Sequence, residues 1–424
     1  MTSATNLGLG LVALVTAPLV ARVLGPSGRG TLVTVQLLPQ FLGDLSALGL
    51  GFALVHHGSA RPGSLGQLWR WTWAPTLVGV LVMSGIGHGL AGVITASPSD
   101  ETMMRVYLLV VPIVGFTAVA QEALRALGDY RRWNMVTVAR RLAWPFALLV
   151  GVLRPDPSLW LVVWIHLGLS AVILVFVMAD VARRLRPLRE PPVVGRWAHI
   201  RFGVASALST VPRSANAKLD QLVMAATVTT VQLGRYAAAV GWSQVTLPVM
   251  RGLAAVTMPH VSSARGADER VRRTRQLVTY GLSVVVVVGL AALVVTAVVW
   301  HPLYGDKYRS AFAAALILVP AALLLELNAV LSNVLRSLGR PWVVAVLEGL
   351  VLTGSIAALL IVVRVAPVTG AAVVSLATYT TGALLYGYWI ARELSVPFRS
   401  LVSPGEAGRQ ARRLLARVRE ATAT

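Results

Sequence analysis

Apolar stretches of roughly 18–28 residues recur about a dozen times along the chain, and each is long enough to cross a hydrocarbon core. Short segments rich in Arg, Gly and Pro separate them. The pattern predicts helices over 5–23, 31–57, 67–94, 103–127, 133–153, 158–182, 201–228, 233–260, 276–300, 309–337, 342–364 and 368–392. The longest connection, 183–200, is rich in Arg and Pro, so no loop has the length of a soluble domain. The first run opens at Leu7, with no cleavable signal sequence before it. After the last run, Arg409, Arg412, Arg413, Arg417 and Arg419 surround Leu414, Leu415 and Val418. That arrangement predicts a basic amphipathic helix on the cytoplasmic leaflet over 408–421, with an unstructured tail as the alternative.

Two short sequences recur. Leu124-Arg125-Ala126-Leu127-Gly128 closes the fourth predicted helix, and Leu335-Arg336-Ser337-Leu338-Gly339 closes the tenth, 211 residues on. Gly28-Arg29 opens the second and Gly234-Arg235 the eighth, 206 residues on. Two anchors at nearly one offset, six helices apart, predict two parallel six-helix lobes. We place the N-terminal lobe over 1–190, the C-terminal lobe over 191–395 and a basic cytoplasmic tail over 396–424.

Composition agrees with an all-α integral membrane protein. The chain is 56% hydrophobic and 13% charged, with mean hydropathy +0.71, whereas soluble domains carry about a quarter charged residues. Zero cysteines exclude disulfides and thiolate metal sites. The net charge of +21 invites a nucleic-acid reading, but that needs a basic face on a soluble domain. Position explains the charge instead. With the N-terminus inside, 25 of the 38 Lys and Arg residues fall in cytoplasmic connections and the tail, 8 in the outer connections and 5 within helices. This is the positive-inside pattern of a multi-pass protein with both termini in the cytoplasm. The preponderance of Arg, Ala and Val suggests a GC-rich bacterial source.

Charges at bilayer depth are costly and usually face a cavity. Ser206, Ser209, Arg213, Asn216 and Asp220 recur at spacings of 3, 4, 3 and 4, a stripe about 21 Å long if the helix is unbroken. Arg213 falls near the midplane, and Pro212 beside it predicts a kink. The stripe is either a buried polar seam or the wall of a water-filled cleft, and its mixed charges favour the cleft. Gln40 and Asp44 share a face of helix two with Gln36. Arg140 and Arg141 lie in helix five, Arg251 in helix eight and Glu326 in helix ten. Aligned deep cations suit an anionic guest, and Arg in particular suits phosphate, because its planar fork bonds two oxygens together. Glu122 and Glu348 are expected to be solvated or paired with Arg125 and Arg340. His56 and His57 have no third partner in view, so we expect neither a metal site nor a proton relay there. Trp69, Trp71 and Trp73 predict an interfacial belt. No catalytic constellation is evident, so neither an enzyme activity nor a cofactor is expected.

Ala21-Arg22-Val23-Leu24-Gly25-Pro26-Ser27-Gly28-Arg29-Gly30 resembles the signature of polysaccharide-type flippases, members of the multidrug/oligosaccharidyl-lipid/polysaccharide exporter superfamily. Further similar stretches are Asp220-Gln221-Leu222-Val223, Leu303-Tyr304-Gly305-Asp306-Lys307-Tyr308, Leu338-Gly339-Arg340-Pro341 and Val368-Thr369-Gly370-Ala371-Ala372. Such proteins usually carry a cytoplasmic stretch before helix one, where this chain is already apolar. The resemblance implies two six-helix lobes whose helices one, two, seven and eight line a cleft. It implies a flippase for an undecaprenyl-(pyro)phosphate-linked oligosaccharide in the bacterial cytoplasmic membrane. Partners would be the lipid-linked anionic glycan, membrane lipid, a glycan polymerase and glycosyltransferases, with no nucleic acid. In that reading Arg213 is the first phosphate contact, then Arg140, Arg141 and Arg251, with Asn216 and Gln40 as polar contacts. Asp44, Asp220 and Glu326 balance charge or carry a coupling proton, and Gly25, Pro26 and Pro212 flex. The alternatives are a cation-coupled multidrug exporter of the same fold and a non-transporting scaffold of a glycan-assembly complex.

Overall fold

The computed structural model describes residues 2–402 except 96, 189 and 193, and side chains from 16 onward except those of 60, 209, 210, 212, 213, 248, 249, 255, 256, 258, 259 and 262. The amphipathic helix expected over 408–421 and the side chains of Pro212 and Arg213 lie outside that set.

All regular structure among the described residues is helical. The order is α1 (Thr2–Ser46), α2 (Leu50–Ala60), α3 (Leu65–Ile94), α4 (Pro98–Tyr107), α5 (Val110–Ala126), α6 (Tyr130–Val152), α7 (Leu159–Leu185) and α8 (Arg196–Asn216). Then come α9 (Leu219–Thr227), α10 (Thr230–Ser243), α11 (Leu247–Ser262), α12 (Ala267–Tyr304), α13 (Phe312–Ser337), α14 (Pro341–Val362) and α15 (Pro367–Glu393). Nine described segments are long and apolar enough to cross a membrane. One of them, Thr16–Ser59, has 44 residues, enough helix for about two crossings of a ~30 Å core. The chain is a multi-pass membrane protein.

Several expected helices are broken. The first two run together as α1 with one non-helical residue, Gly25, at φ 65° and ψ −179°. The second then breaks at Leu48 and Gly49, both with positive φ. The expected helix over 201–228 divides at Lys218, whose N–H turns back to the Ala215 carbonyl at 2.9 Å. The polar stripe on that helix is therefore not one continuous wall. The expected helix over 233–260 is interrupted by a tight turn at Gln244–Thr246.

The chain folds into two compact units: Met1–Ser214 with Met224–Gly234, and Ala215–Val223 with Arg235–Thr424. The first unit thus includes nearly all of α8. Within it α5 is central, packing on α1, α2, α3 and α7, while α6 packs on α7. Within the second, α13 packs on α11, α12 and α15, and α14 packs on α15. In lipid these contacts gain nothing from expelling water, so close approach of small residues drives them. Ala314, Ala315, Ala321 and Ser332 of α13, and Gly370, Ala371, Ala372 and Ser375 of α15, are accordingly buried. Val78, Leu81, Val172 and Val175, on α3 and α7, stay exposed as lipid-facing surface.

The recurring Leu-Arg-x-Leu-Gly sequence closes a helix the same way in both units. Gly128 (φ 74°) and Gly339 (φ 79°) take the left-handed conformation, and the following N–H bonds back five residues, Asp129 to Leu124 O and Arg340 to Leu335 O, both at 3.0 Å. This is the Schellman cap, which suits Gly because it has no Cβ to clash. Beside each cap, ion pairs tie the next two helices: Arg184 to Asp129 at 3.1 Å and Arg132 to Asp180 in the first unit, Arg340 to Glu393 at 3.0 Å in the second. Glu122 pairs with Arg125 at 3.1 Å as expected. Glu348 does not pair with Arg340; it is buried, bonded by Asn216 and Tyr386. Trp69 packs in the core, so only part of the tryptophan cluster serves as a belt.

Candidate functional site

The first unit holds a cavity of about 520 Å³ lined from α1, α5, α6 and α7. Helix α1 supplies Gln40 and Asp44, one turn apart, so both point the same way. Helix α5 supplies Thr117 and Gln121, α6 supplies Thr137, Arg140 and Arg141, and α7 supplies His166 and Ser170.

One wall is a hydrogen-bonded chain of neutral groups. Gln40 Nε2 donates to the Tyr107 hydroxyl at 3.0 Å, that hydroxyl lies 2.9 Å from His166 Nδ1, and Ser170 Oγ lies 3.4 Å from His166 Nε2. Tyr107 is wholly buried and His166 nearly so, which fixes their orientation. On the opposite wall Gln121 Nε2 donates to Thr137 Oγ1 at 2.6 Å, and its Oε1 accepts from Arg140 Nη1 at 2.9 Å. Among the described residues, that neutral amide is the only hydrogen-bond partner of the half-buried Arg140, and no carboxylate forms an ion pair with it. Asp44, Arg141 and Glu122 are the charges that act on it through space. Two guanidiniums against one carboxylate leave the lining net positive.

Gln40, Asp44, Arg140 and Arg141, chosen from the sequence, thus converge on one cavity. The other described candidates lie elsewhere. In the second unit Arg251 is matched, its Nε 2.9 Å from Glu326 Oε1. Asp220 is buried there, and among the described residues it accepts from the Tyr236 hydroxyl, the Ser375 hydroxyl at 3.4 Å and the Gln221 N–H at 2.7 Å. Asn216 Nδ2 donates to Glu348 at 3.3 Å. Gly25 and Pro26 mark the break in α1. The sequence reading missed Tyr107, Gln121, His166 and Ser170. The one available signal was the four-residue spacing of His166 and Ser170 inside an apolar run. His57 does find a partner, His199, with the two Nδ1 atoms 3.1 Å apart. Among the described residues no three His, Cys, Asp or Glu side chains form a group fit for a metal ion.

The family model of the polysaccharide biosynthesis proteins matches residues 19–313, well over half of the chain. The chain belongs to that family. No curated protein sequence matches it. Several solved structures share its fold. A multidrug resistance MATE family transporter of the MOP superfamily, in its inward-facing conformation, is 15% identical at TM-score 0.71, over 91% of this chain and 95% of that one. The lipid II flippase MurJ, in an inward closed conformation, is 10% identical at TM-score 0.72, over 94% and 88%. A MOP superfamily transporter from Pyrococcus furiosus, whose binding pocket is described as reversed in polarity, is 15% identical at TM-score 0.55, over 92% and 94%. This member of the polysaccharide biosynthesis family therefore has the all-α fold of the MOP superfamily transporters.

Proposed function

We propose that this protein is a flippase that carries an undecaprenyl-(pyro)phosphate-linked oligosaccharide across the bacterial cytoplasmic membrane by alternating access, for cell-surface polysaccharide synthesis. Arg140 carries the reading. A guanidinium within a membrane-spanning segment costs roughly 2.5–3.5 kcal/mol, and a neutral amide does not offset that. An anionic guest does, and a phosphate meets the planar fork with two oxygens. Arg141 adds a second cation, while Gln40, Gln121 and Thr137 suit sugar or phosphate oxygens. A multidrug exporter for cationic drugs would want acidic walls, and this cavity has the opposite balance.

The same reading takes 1–190 and 191–395 as repeated six-helix lobes, supported by the twin caps and by the parallel packing around α5 and α13. The arginine distribution supports cytoplasmic termini. Glycosyltransferases that build the glycan and a polymerase that consumes it are the partners such a cargo requires.

Arg140→Ala should abolish surface polysaccharide in cells while membrane levels of the protein stay normal. Arg140→Lys should restore only part of the export, because an ammonium lacks the bidentate geometry. Normal export by well-expressed Arg140→Ala would remove this cavity from the cargo path.

A further inference from the structure

A second cavity of about 230 Å³ adjoins the first, and the two share Asp44, Gln121 and Arg140 in their linings. Its character is different. Its wall is mainly apolar and includes Phe41, Leu45, Phe52, Ala118, Val119 and Val211. Of its two carboxylates, Asp44 is shared with the first cavity, and Glu122 is turned to other partners: Arg125 Nη1 at 3.1 Å and Trp133 Nε1 at 3.3 Å. The first unit therefore presents a polar, net positive chamber and an apolar one, meeting at Asp44, Gln121 and Arg140.

We propose that the smaller chamber receives the first isoprenyl unit of the lipid carrier while Arg140, at the junction, holds the phosphate joined to it. The inference rests on the flippase reading above and adds the part of the cargo that is recognised. In a polyprenyl phosphate the charge and the hydrocarbon are separated by one C–O bond. A site that grips the phosphate must therefore place five apolar carbons directly beside the cation. Few other anions make that demand: a free sugar phosphate has no hydrocarbon to bury, and a fatty-acyl phospholipid sets glycerol between its phosphate and its chains. At about 30 Å³ per water-sized group, the chamber has room for roughly eight carbons, one isoprenyl unit and part of the next.

Two soluble probes differ only in that unit: inorganic pyrophosphate and dimethylallyl pyrophosphate. Calorimetric titration of the purified full-length protein with each isolates its contribution. Dimethylallyl pyrophosphate is expected to bind at least about tenfold more tightly, since even one methylene in a fitting apolar pocket is worth about that factor. Filling the chamber with Ala118→Leu should erase the advantage and leave pyrophosphate affinity unchanged. Ala207→Leu reaches the same chamber from α8 and serves if the first variant fails to fold. Equal binding of the two probes by the wild type, or an advantage that survives both fillings, overturns the isoprenyl site alone. If neither probe binds, the anionic cargo itself is refuted.

Discussion

Arg140 and Arg251 look alike in the sequence, each a cation within an expected membrane helix, yet their surroundings oppose one another. Arg251 has Glu326 at 2.9 Å and is about half exposed (53%), so the pair is screened and worth about 0.2–1 kcal/mol. Arg251→Gln and Glu326→Gln should each lower the melting temperature slightly, and the double variant should recover most of the loss, a coupling that thermal unfolding in detergent can measure. Strictly additive losses would contradict the pairing. Arg140→Gln should cost no stability, because it removes a cation with no carboxylate in contact. Charge made this site partly legible: Gln40, Asp44, Arg140 and Arg141 stand out because polar groups in apolar runs are costly. Tyr107, Gln121, His166 and Ser170 do not stand out, since neutral groups gain their roles only from partners 59 and 16 residues away. His57 is similar, meeting His199 across 142 positions.

Helix existence was readable from apolar run length, and α13 to α15 lie close to their expected spans, while α12 begins nine residues before its own. The break at Gly25 falls in the gap between the first two expected helices, but those at Leu48–Gly49 and Lys218 were not readable, because they depend on backbone turns within otherwise apolar or amphipathic stretches. One of these regions makes an unusually close contact. A Cβ on Gly30 would meet the Thr230 carbonyl oxygen at 1.8 Å, and one on Gly234 would meet that of Pro26 at 1.8 Å. In each segment the glycine follows the touching carbonyl by four residues, so the crossing of α1 with the start of α10 is reciprocal, as in small-xxx-small helix pairs. Neither carbonyl can yield as a flexible side chain would. Gly30→Ala and Gly234→Ala should each cost roughly 1–3 kcal/mol of stability. Because both report one contact, the double variant should cost clearly less than their sum. Independent, fully additive losses in thermal unfolding would show that the two glycines serve different contacts.

Each of the two compact units is organised around one central helix, α5 or α13, closed by the same cap and tied by ion pairs beside it. The chemistry is less evenly shared. The first unit has the net positive cavity with its apolar annex, while the second matches Arg251 internally and buries Asp220 among hydroxyls. In the flippase reading proposed above, that asymmetry among the described residues assigns the cargo's charge to the first unit. The most direct test is transbilayer movement by the purified protein in vesicles carrying a fluorescent undecaprenyl-pyrophosphate oligosaccharide, followed by quenching from outside. Wild-type protein should render the inner-leaflet label accessible, Arg140→Ala vesicles should behave as protein-free ones do, and a cationic dye should not be moved by either. Movement of the dye by the wild type, with the glycan lipid left in its leaflet, would contradict the account.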